Sequence, residues 1–98
     1  MIKGLISPIL SPFNNDLSFN QNLYNDLAEE LLSSGCSGLA PFGTTGEAPT
    51  IDFDEHVRLI NEAVNFVDGK IPVIAGTGAN STKEAIFLTK EAKKIGAD

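Results

Sequence analysis

The chain alternates short apolar runs with helix-forming segments three times, and this order constrains the fold more than any other feature. The apolar runs are "GLISPIL" (4–10), "SGLAPFG" (37–43) and "IPVIAG" (71–76). Each run is bounded by turn residues and has few polar positions, which predicts a strand buried on both faces. Strands that alternate with helices pair in parallel through right-handed crossovers. The order therefore predicts an α/β fold with a β-α-β-α-β-α sequence.

Helices are predicted at residues 20–34, 52–67 and 81–95. In the first, Leu23, Leu27 and Leu31 are spaced four apart, which predicts an apolar face that Gly35 terminates. The other two helices are predicted to start at capping boxes, Asp52 with Glu55 and Ser81 with Glu84. Their predicted apolar stripes are Val57, Ile60, Val64 and Val67, then Ala85, Leu88, Ala92 and Ile95.

Two architectures fit this order. One is a very small open doubly wound sheet, and the other is part of a (β/α)₈ barrel, which typically needs about 250 residues. The 98 residues suffice for one small domain and not for two. Both architectures bind ligands at the carboxyl ends of the strands, where loops 11–18, 43–50 and 76–81 are predicted.

The loop "GTTGE" (43–47) is the strongest candidate site. Glycines at 43 and 46 are expected to give the backbone conformations in which successive N–H groups point into one anion-binding concavity. Thr44 and Thr45 add two hydroxyls that donate and accept hydrogen bonds. Such a site suits a carboxylate or a small phosphate. The same residues also fit a tight turn whose threonines cap the next segment, and spacing favours neither interpretation.

The sequence gives less support to other kinds of binding or catalytic site. "GTGANS" (76–81) has Ser81 where a dinucleotide fingerprint needs its third glycine. His56 is the single histidine, which excludes a metal triad, and it is expected as a surface imidazole near a helix start. The lone Cys36 is expected to be a small buried residue. No lysine falls at the carboxyl end of a predicted strand, where a Schiff-base nucleophile would be needed.

Charge and hydropathy limit the classes of partner that this protein is expected to bind. Thirteen acidic and seven basic residues give a net charge of −6, with no basic cluster of the kind that binds nucleic acid. No run approaches the roughly 18 apolar residues that span a bilayer, and the first residues are a poor signal peptide. These features predict a cytoplasmic protein with neither nucleic acid nor membrane as partner.

The motifs "GTTGEAPT", "DEHVRLI" and "IPVIAGTGANSTKEAI" closely resemble the dihydrodipicolinate synthase and N-acetylneuraminate lyase family over the whole chain. The resemblance implies a (β/α)₈ class I aldolase that forms a Schiff base with pyruvate and uses no metal or organic cofactor. Residues 1–98 would be the first three βα units, the N-terminal portion of a single barrel domain in a truncated chain. A homo-oligomer, a tetramer in the family, is implied for the full length.

Within the family, GTTGE followed by GTGAN is most similar to the synthase branch, which condenses pyruvate with aspartate semialdehyde in lysine biosynthesis. The alternatives are N-acetylneuraminate lyase, a 2-keto-3-deoxy sugar acid aldolase or dehydratase, and a small non-catalytic anion-binding module. The resemblance implies that Thr45 and the backbone at Gly46 bind the pyruvate carboxylate. It also implies that Thr44 relays protons between two tyrosines. The lysine and these tyrosines would lie beyond Asp98, and Tyr24 matches none of them.

Feedback-inhibited relatives bind lysine at a dimer interface. The matching positions are Ala48, Pro49, Phe53, His56, Gly78, Asn80 and Glu84. His56, Asn80 and Glu84 agree with regulated members. Ala48 and Phe53 depart from the usual serine and from the histidine of some members, so the resemblance does not establish inhibition by lysine.

Overall fold

The computed structural model describes residues 1–98 and contains two regular strands and three α-helices. In chain order these are β1 (Ile6–Pro8), α1 (Gln21–Ser33), β2 (Gly38–Ala40), α2 (Phe53–Val67) and α3 (Thr82–Ile95), with a single 3₁₀ turn at Ala48–Thr50. The alternation of strands and helices is as predicted. No helix combines the length and the apolar character that crossing a membrane requires.

β1 and β2 pair in parallel, with Ile6 opposite Gly38. The predicted third strand (71–76) is wrong as a regular strand, because it contributes a single bridge to β2. The segment still runs alongside β2, since Ile74 N–H donates to the Leu39 carbonyl at 2.8 Å and Gly76 N–H to the Pro41 carbonyl at 2.8 Å. A continuous ladder would need an N–H from residue 41 between these two bonds, and proline has none.

The buried face of α1 only partly matches the predicted leucine face, since Leu27 and Leu31 are partly buried and pack against the core. Tyr24 and Ala28 are buried on this helix, whereas Leu23 is 46% exposed. The Tyr24 ring stacks on Phe42 with centroids 5.8 Å apart and an interplanar angle of 12°. Phe19 also packs against Tyr24, at 5.5 Å. These contacts explain why Tyr24 is buried and Leu23 is not, because aromatic side chains bury large areas.

The predicted boundaries of α2 and α3 are close to those observed. Ser81 accepts a hydrogen bond from Glu84 N–H at 3.2 Å, and Gly96 ends α3 with φ of 108°. Asp52 caps α2 differently from the predicted capping box, because its carboxylate accepts from the adjacent Phe53 N–H at 2.9 Å. The predicted stripes are only partly buried. The buried residues of the two helices are His56, Leu59, Ile60, Ala63 and Val67 in α2, and Leu88 and Ala92 in α3.

Candidate functional site

The loops that follow β1, β2 and the 72–76 segment are in direct contact. Ser11 Oγ donates to the Gly46 carbonyl at 2.6 Å, which joins the first loop to the second. The third loop reaches the second through Gly76, where an added Cβ would lie 2.6 Å from the Gly43 nitrogen and would overlap the Phe42 carbonyl. The carboxyl ends of parallel strands therefore bring the three loops together, as both candidate architectures require.

The backbone of the GTTGE loop adopts its special conformations at unexpected residues. Left-handed φ values occur at Phe42 (59°) and Glu47 (56°), and neither Gly43 nor Gly46 has one. The two glycines therefore supply no left-handed φ in this turn. Gly46 has a steric reason instead, since a Cβ there would lie 2.9 Å from the Phe42 nitrogen and 3.2 Å from the Ile9 carbonyl oxygen. Close backbone packing thus requires glycine at 46.

The loop presents a row of unpaired hydrogen-bond donors. The N–H groups of Gly43, Thr44, Thr45 and Gly46 donate to no acceptor within the chain. The hydroxyls of Thr44 and Thr45 also form no hydrogen bond within the chain, and both residues are exposed. The threonines therefore do not cap the following 3₁₀ turn, which was the alternative interpretation. Amide and hydroxyl donors of this kind bind an anion such as a carboxylate where they converge on one point.

Thr44 lines a cleft of about 270 Å³ whose walls come from the second and third loops. Gly76 and Asn80 of the third loop also line this cleft. Thr45 is exposed and lies outside the cleft lining, and Gly46 is buried beneath the turn. The structure thus assigns the three predicted site residues different places: Thr44 to the cleft, Thr45 to solvent and Gly46 to the interior.

A second cleft, of about 230 Å³, adjoins the first. All seven positions that match the regulatory site of feedback-inhibited relatives line it, together with Ile51, Ala79 and Leu88. Five residues line both clefts, namely Ala48, Pro49, Gly78, Ala79 and Asn80. The structure therefore brings the predicted regulatory positions together directly beside the Thr44 cleft.

His56 is not the surface imidazole that the sequence predicts. It is only 3% exposed, and its Nε2 lies 2.8 Å from the Gly76 carbonyl oxygen. Its ring packs edge-on against Phe42 with centroids 5.7 Å apart. Since a carbonyl only accepts, the neutral ring must carry its proton on Nε2. Burial lowers the pKa of His56, and the bond to Gly76 opposes part of that shift.

We expect the free energy of unfolding to fall on acidification because of His56. Its pKa in the folded protein lies below the ordinary 6.5, so the unfolded chain binds the proton more readily. The stabilisation is complete above about pH 6.5 and is lost as the pH falls through the folded-state pKa. Urea unfolding at roughly pH 7.5 and 5 would measure it, with His56→Gln as a non-titrating control. An equal pH dependence in both proteins would contradict this role.

The described residues contain no Schiff-base nucleophile. All six lysines are exposed: Lys3, Lys70, Lys83, Lys90, Lys93 and Lys94. A lysine nucleophile needs a desolvated amine, so none of them fits the reaction. Tyr24 also stays neutral, because burial raises its pKa. No cluster of three or more His, Cys, Asp or Glu side chains that could hold a metal is present.

Two residues of this site were missed in the sequence. Phe42 was interpreted only as the end of an apolar run, although its backbone lies against both Gly46 and Gly76. Ser11 is the first residue of the predicted loop 11–18, and its contact with Gly46 spans 35 positions. Nothing local marks such a partner, so only the folded chain reveals it.

The chain is similar in sequence to known enzymes. A 4-hydroxy-tetrahydrodipicolinate synthase of Pelobacter propionicus is 46% identical over 98 residues, which are 100% of this chain and 33% of that protein. The synthase of Dechloromonas aromatica is 49% identical over 98 residues, 100% of this chain and 34% of its own. The chain thus spans about a third of the length of these relatives.

A solved structure gives the same result. The chloride-inhibited dihydrodipicolinate synthase of Acinetobacter baumannii, complexed with pyruvate, is 43% identical and matches with a TM-score of 0.95. The match covers 100% of this chain and 34% of that one. The fold is therefore that of the first three βα units of a (β/α)₈ barrel. A model of the dihydrodipicolinate synthetase family matches residues 1–98, and the chain belongs to that family.

Proposed function

We propose that residues 1–98 are the N-terminal portion of a single-domain barrel enzyme that condenses pyruvate with aspartate semialdehyde, as a 4-hydroxy-tetrahydrodipicolinate synthase does. The observation that carries the proposal is the row of unpaired N–H groups at residues 43–46 with the two threonine hydroxyls. These donors lie at the carboxyl ends of the strands, where barrel enzymes bind substrates. The similar Acinetobacter baumannii structure is a complex with pyruvate.

In this proposal the turn binds the carboxylate of pyruvate. The Thr45 hydroxyl and the N–H groups around Gly46 donate to its oxygens, and these donors need no reorganisation because the turn is already formed. The Thr44 hydroxyl both donates and accepts, and it lines the cleft beside the turn. It can therefore pass a proton between two neighbouring groups, which is the relay that the resemblance implies.

The remaining chemistry needs a lysine from outside residues 1–98. Its neutral amine adds to the ketone carbon of pyruvate, and loss of water gives the Schiff base. Removal of a proton from the methyl group gives an enamine, whose carbon attacks the aldehyde. This sequence requires no metal or organic cofactor. We place the full-length enzyme, the polypeptide of family length that carries this chain, in the cytoplasm as a homo-oligomer.

Borohydride trapping with pyruvate tests the proposed function. We expect the full-length enzyme to retain one reduced pyruvyl group per chain, on a lysine outside residues 1–98, because no lysine of this segment is desolvated. Intact-mass measurement and peptide mapping locate the adduct, and the same enzyme treated with borohydride in the absence of pyruvate is the control. Absence of an adduct, or an adduct on Lys3 or Lys70, would refute the proposal.

The aldehyde is tested separately, since trapping reports only on pyruvate. We expect product formation with aspartate semialdehyde and no cleavage of N-acetylneuraminate or of 2-keto-3-deoxy sugar acids. Cleavage of either would identify one of the other family activities. Reversible pyruvate binding without any adduct would favour the anion-binding module.

A further inference from the structure

Ser11 is a buried hydroxyl that the proposed mechanism does not use. It is 5% exposed, and its Oγ donates to the Gly46 carbonyl at 2.6 Å across 35 positions of sequence. A buried polar group is costly to fold unless it is hydrogen-bonded. The bond connects the end of the first strand with the turn that carries the two threonines.

The bonded carbonyl belongs to the peptide unit between Gly46 and Glu47. The N–H of the same unit donates to the Thr44 carbonyl at 3.0 Å and closes a turn with Thr45 and Gly46 at its centre. Both polar groups of this one peptide plane are therefore hydrogen-bonded, the carbonyl by Ser11 and the N–H by Thr44. The plane cannot rotate without breaking both bonds.

The orientation of this plane holds Glu47 in a strained conformation. Glu47 has a φ of 56°, a left-handed conformation that non-glycine residues adopt at an energetic cost. Turning the 46–47 peptide plane changes this φ and relieves the strain. It also breaks the bond from Glu47 N–H to the Thr44 carbonyl that closes the turn, so the conformations of Thr45 and Gly46 at its centre, and the directions of their N–H groups, are no longer held. The Ser11 hydrogen bond opposes this rotation.

We propose that Ser11 is a positioning residue that holds the 46–47 peptide plane, and through it the donors of residues 44–46, in the orientation that binds the substrate carboxylate. This inference rests on the proposed function. Ser11 itself contacts neither substrate nor reacting atoms, because its hydroxyl is engaged with the Gly46 carbonyl. Removing the hydroxyl should weaken carboxylate binding and leave the rest of the active site assembled.

The test uses the full-length enzyme with Ser11→Ala and measures the pyruvate concentration that half-saturates borohydride trapping. We expect this concentration to rise on the order of tenfold, the effect of losing one buried hydrogen bond. Ser34→Ala is the matched control, because its exposed hydroxyl also donates to a carbonyl, that of Glu30, at 2.8 Å. In that variant half-saturation should not change.

The readout separates positioning from a purely structural role. Urea unfolding of Ser11→Ala measures its stability separately. As long as the variant stays almost fully folded, a loss of stability alone leaves half-saturation unchanged, and an unchanged half-saturation would overturn the inference. If Ser11→Ala does not fold, Ser11→Cys keeps the volume with a weaker donor, and an unchanged half-saturation there is equally decisive. Failure of the unmodified enzyme to trap pyruvate would overturn the proposed function, and this inference with it.

Discussion

We expect Thr44→Val to lower kcat of the full-length enzyme by about 100- to 10,000-fold, the range that a proton-transfer group contributes. Valine keeps the branched shape of threonine and removes the hydroxyl. The side chain is exposed at the edge of the 270 Å³ cleft and has no hydrogen bond within the chain, so the substitution breaks no structural contact. Steady-state kinetics with both substrates measures the loss.

Thr45→Val is the matched comparison on the adjacent residue. It removes a proposed carboxylate donor, so we expect pyruvate binding to weaken by about 1–3 kcal/mol, with the loss appearing in KM more than in kcat. The two substitutions would then affect different kinetic constants, kcat for Thr44→Val and KM for Thr45→Val. A Thr44→Val enzyme with a raised KM for pyruvate and an unchanged kcat would contradict the relay role.

Replacing Gly76 by alanine destabilises the full-length enzyme by more than about 3 kcal/mol, at the upper end of overpacking effects. The new Cβ would overlap the Phe42 carbonyl and lie 2.6 Å from the Gly43 nitrogen. These obstacles are backbone atoms of a packed loop, so no rotamer change can make room. The loss of stability should be visible as a lower urea midpoint.

Gly78→Ala is the control for this prediction, because it lies in the same loop and a Cβ there meets nothing within 4 Å. Its φ is outside the left-handed region. We expect its unfolding free energy to stay within about 1 kcal/mol of the original, since a compatible glycine-to-alanine change is neutral or slightly stabilising. Equal stability of the two variants would show that the backbone at Phe42 moves readily to make room for a side chain at position 76, and it would contradict the prediction.

Local signals in the sequence predicted the helices well. Asn20 and Ser81 lie next to the helices that they cap, and Gly96 adopts the left-handed conformation that ends α3. Capping bonds span three or four residues, so their signal is contained in a short window. The sequence also predicts Thr44 and Thr45 as candidate site residues, because two glycines and a preceding apolar run mark the loop, and their roles stay a prediction.

The predictions that failed depend on contacts distant in sequence. Tyr24, and not Leu23, is buried because its ring stacks on Phe42, which lies 18 positions away in the chain. His56 is buried because the Gly76 carbonyl accepts from its ring. The third strand is interrupted because Pro41, immediately after β2, has no N–H to donate.

The sequence by itself determined the order of elements, the helix ends and the loop that carries the candidate site, since periodicity and capping act over a few residues. The tertiary structure alone decided how that loop is held. It placed left-handed φ values at Phe42 and Glu47, and it placed Ser11 against Gly46. The physical reason is that close packing and buried hydrogen bonds join segments whose separation along the chain leaves no local pattern.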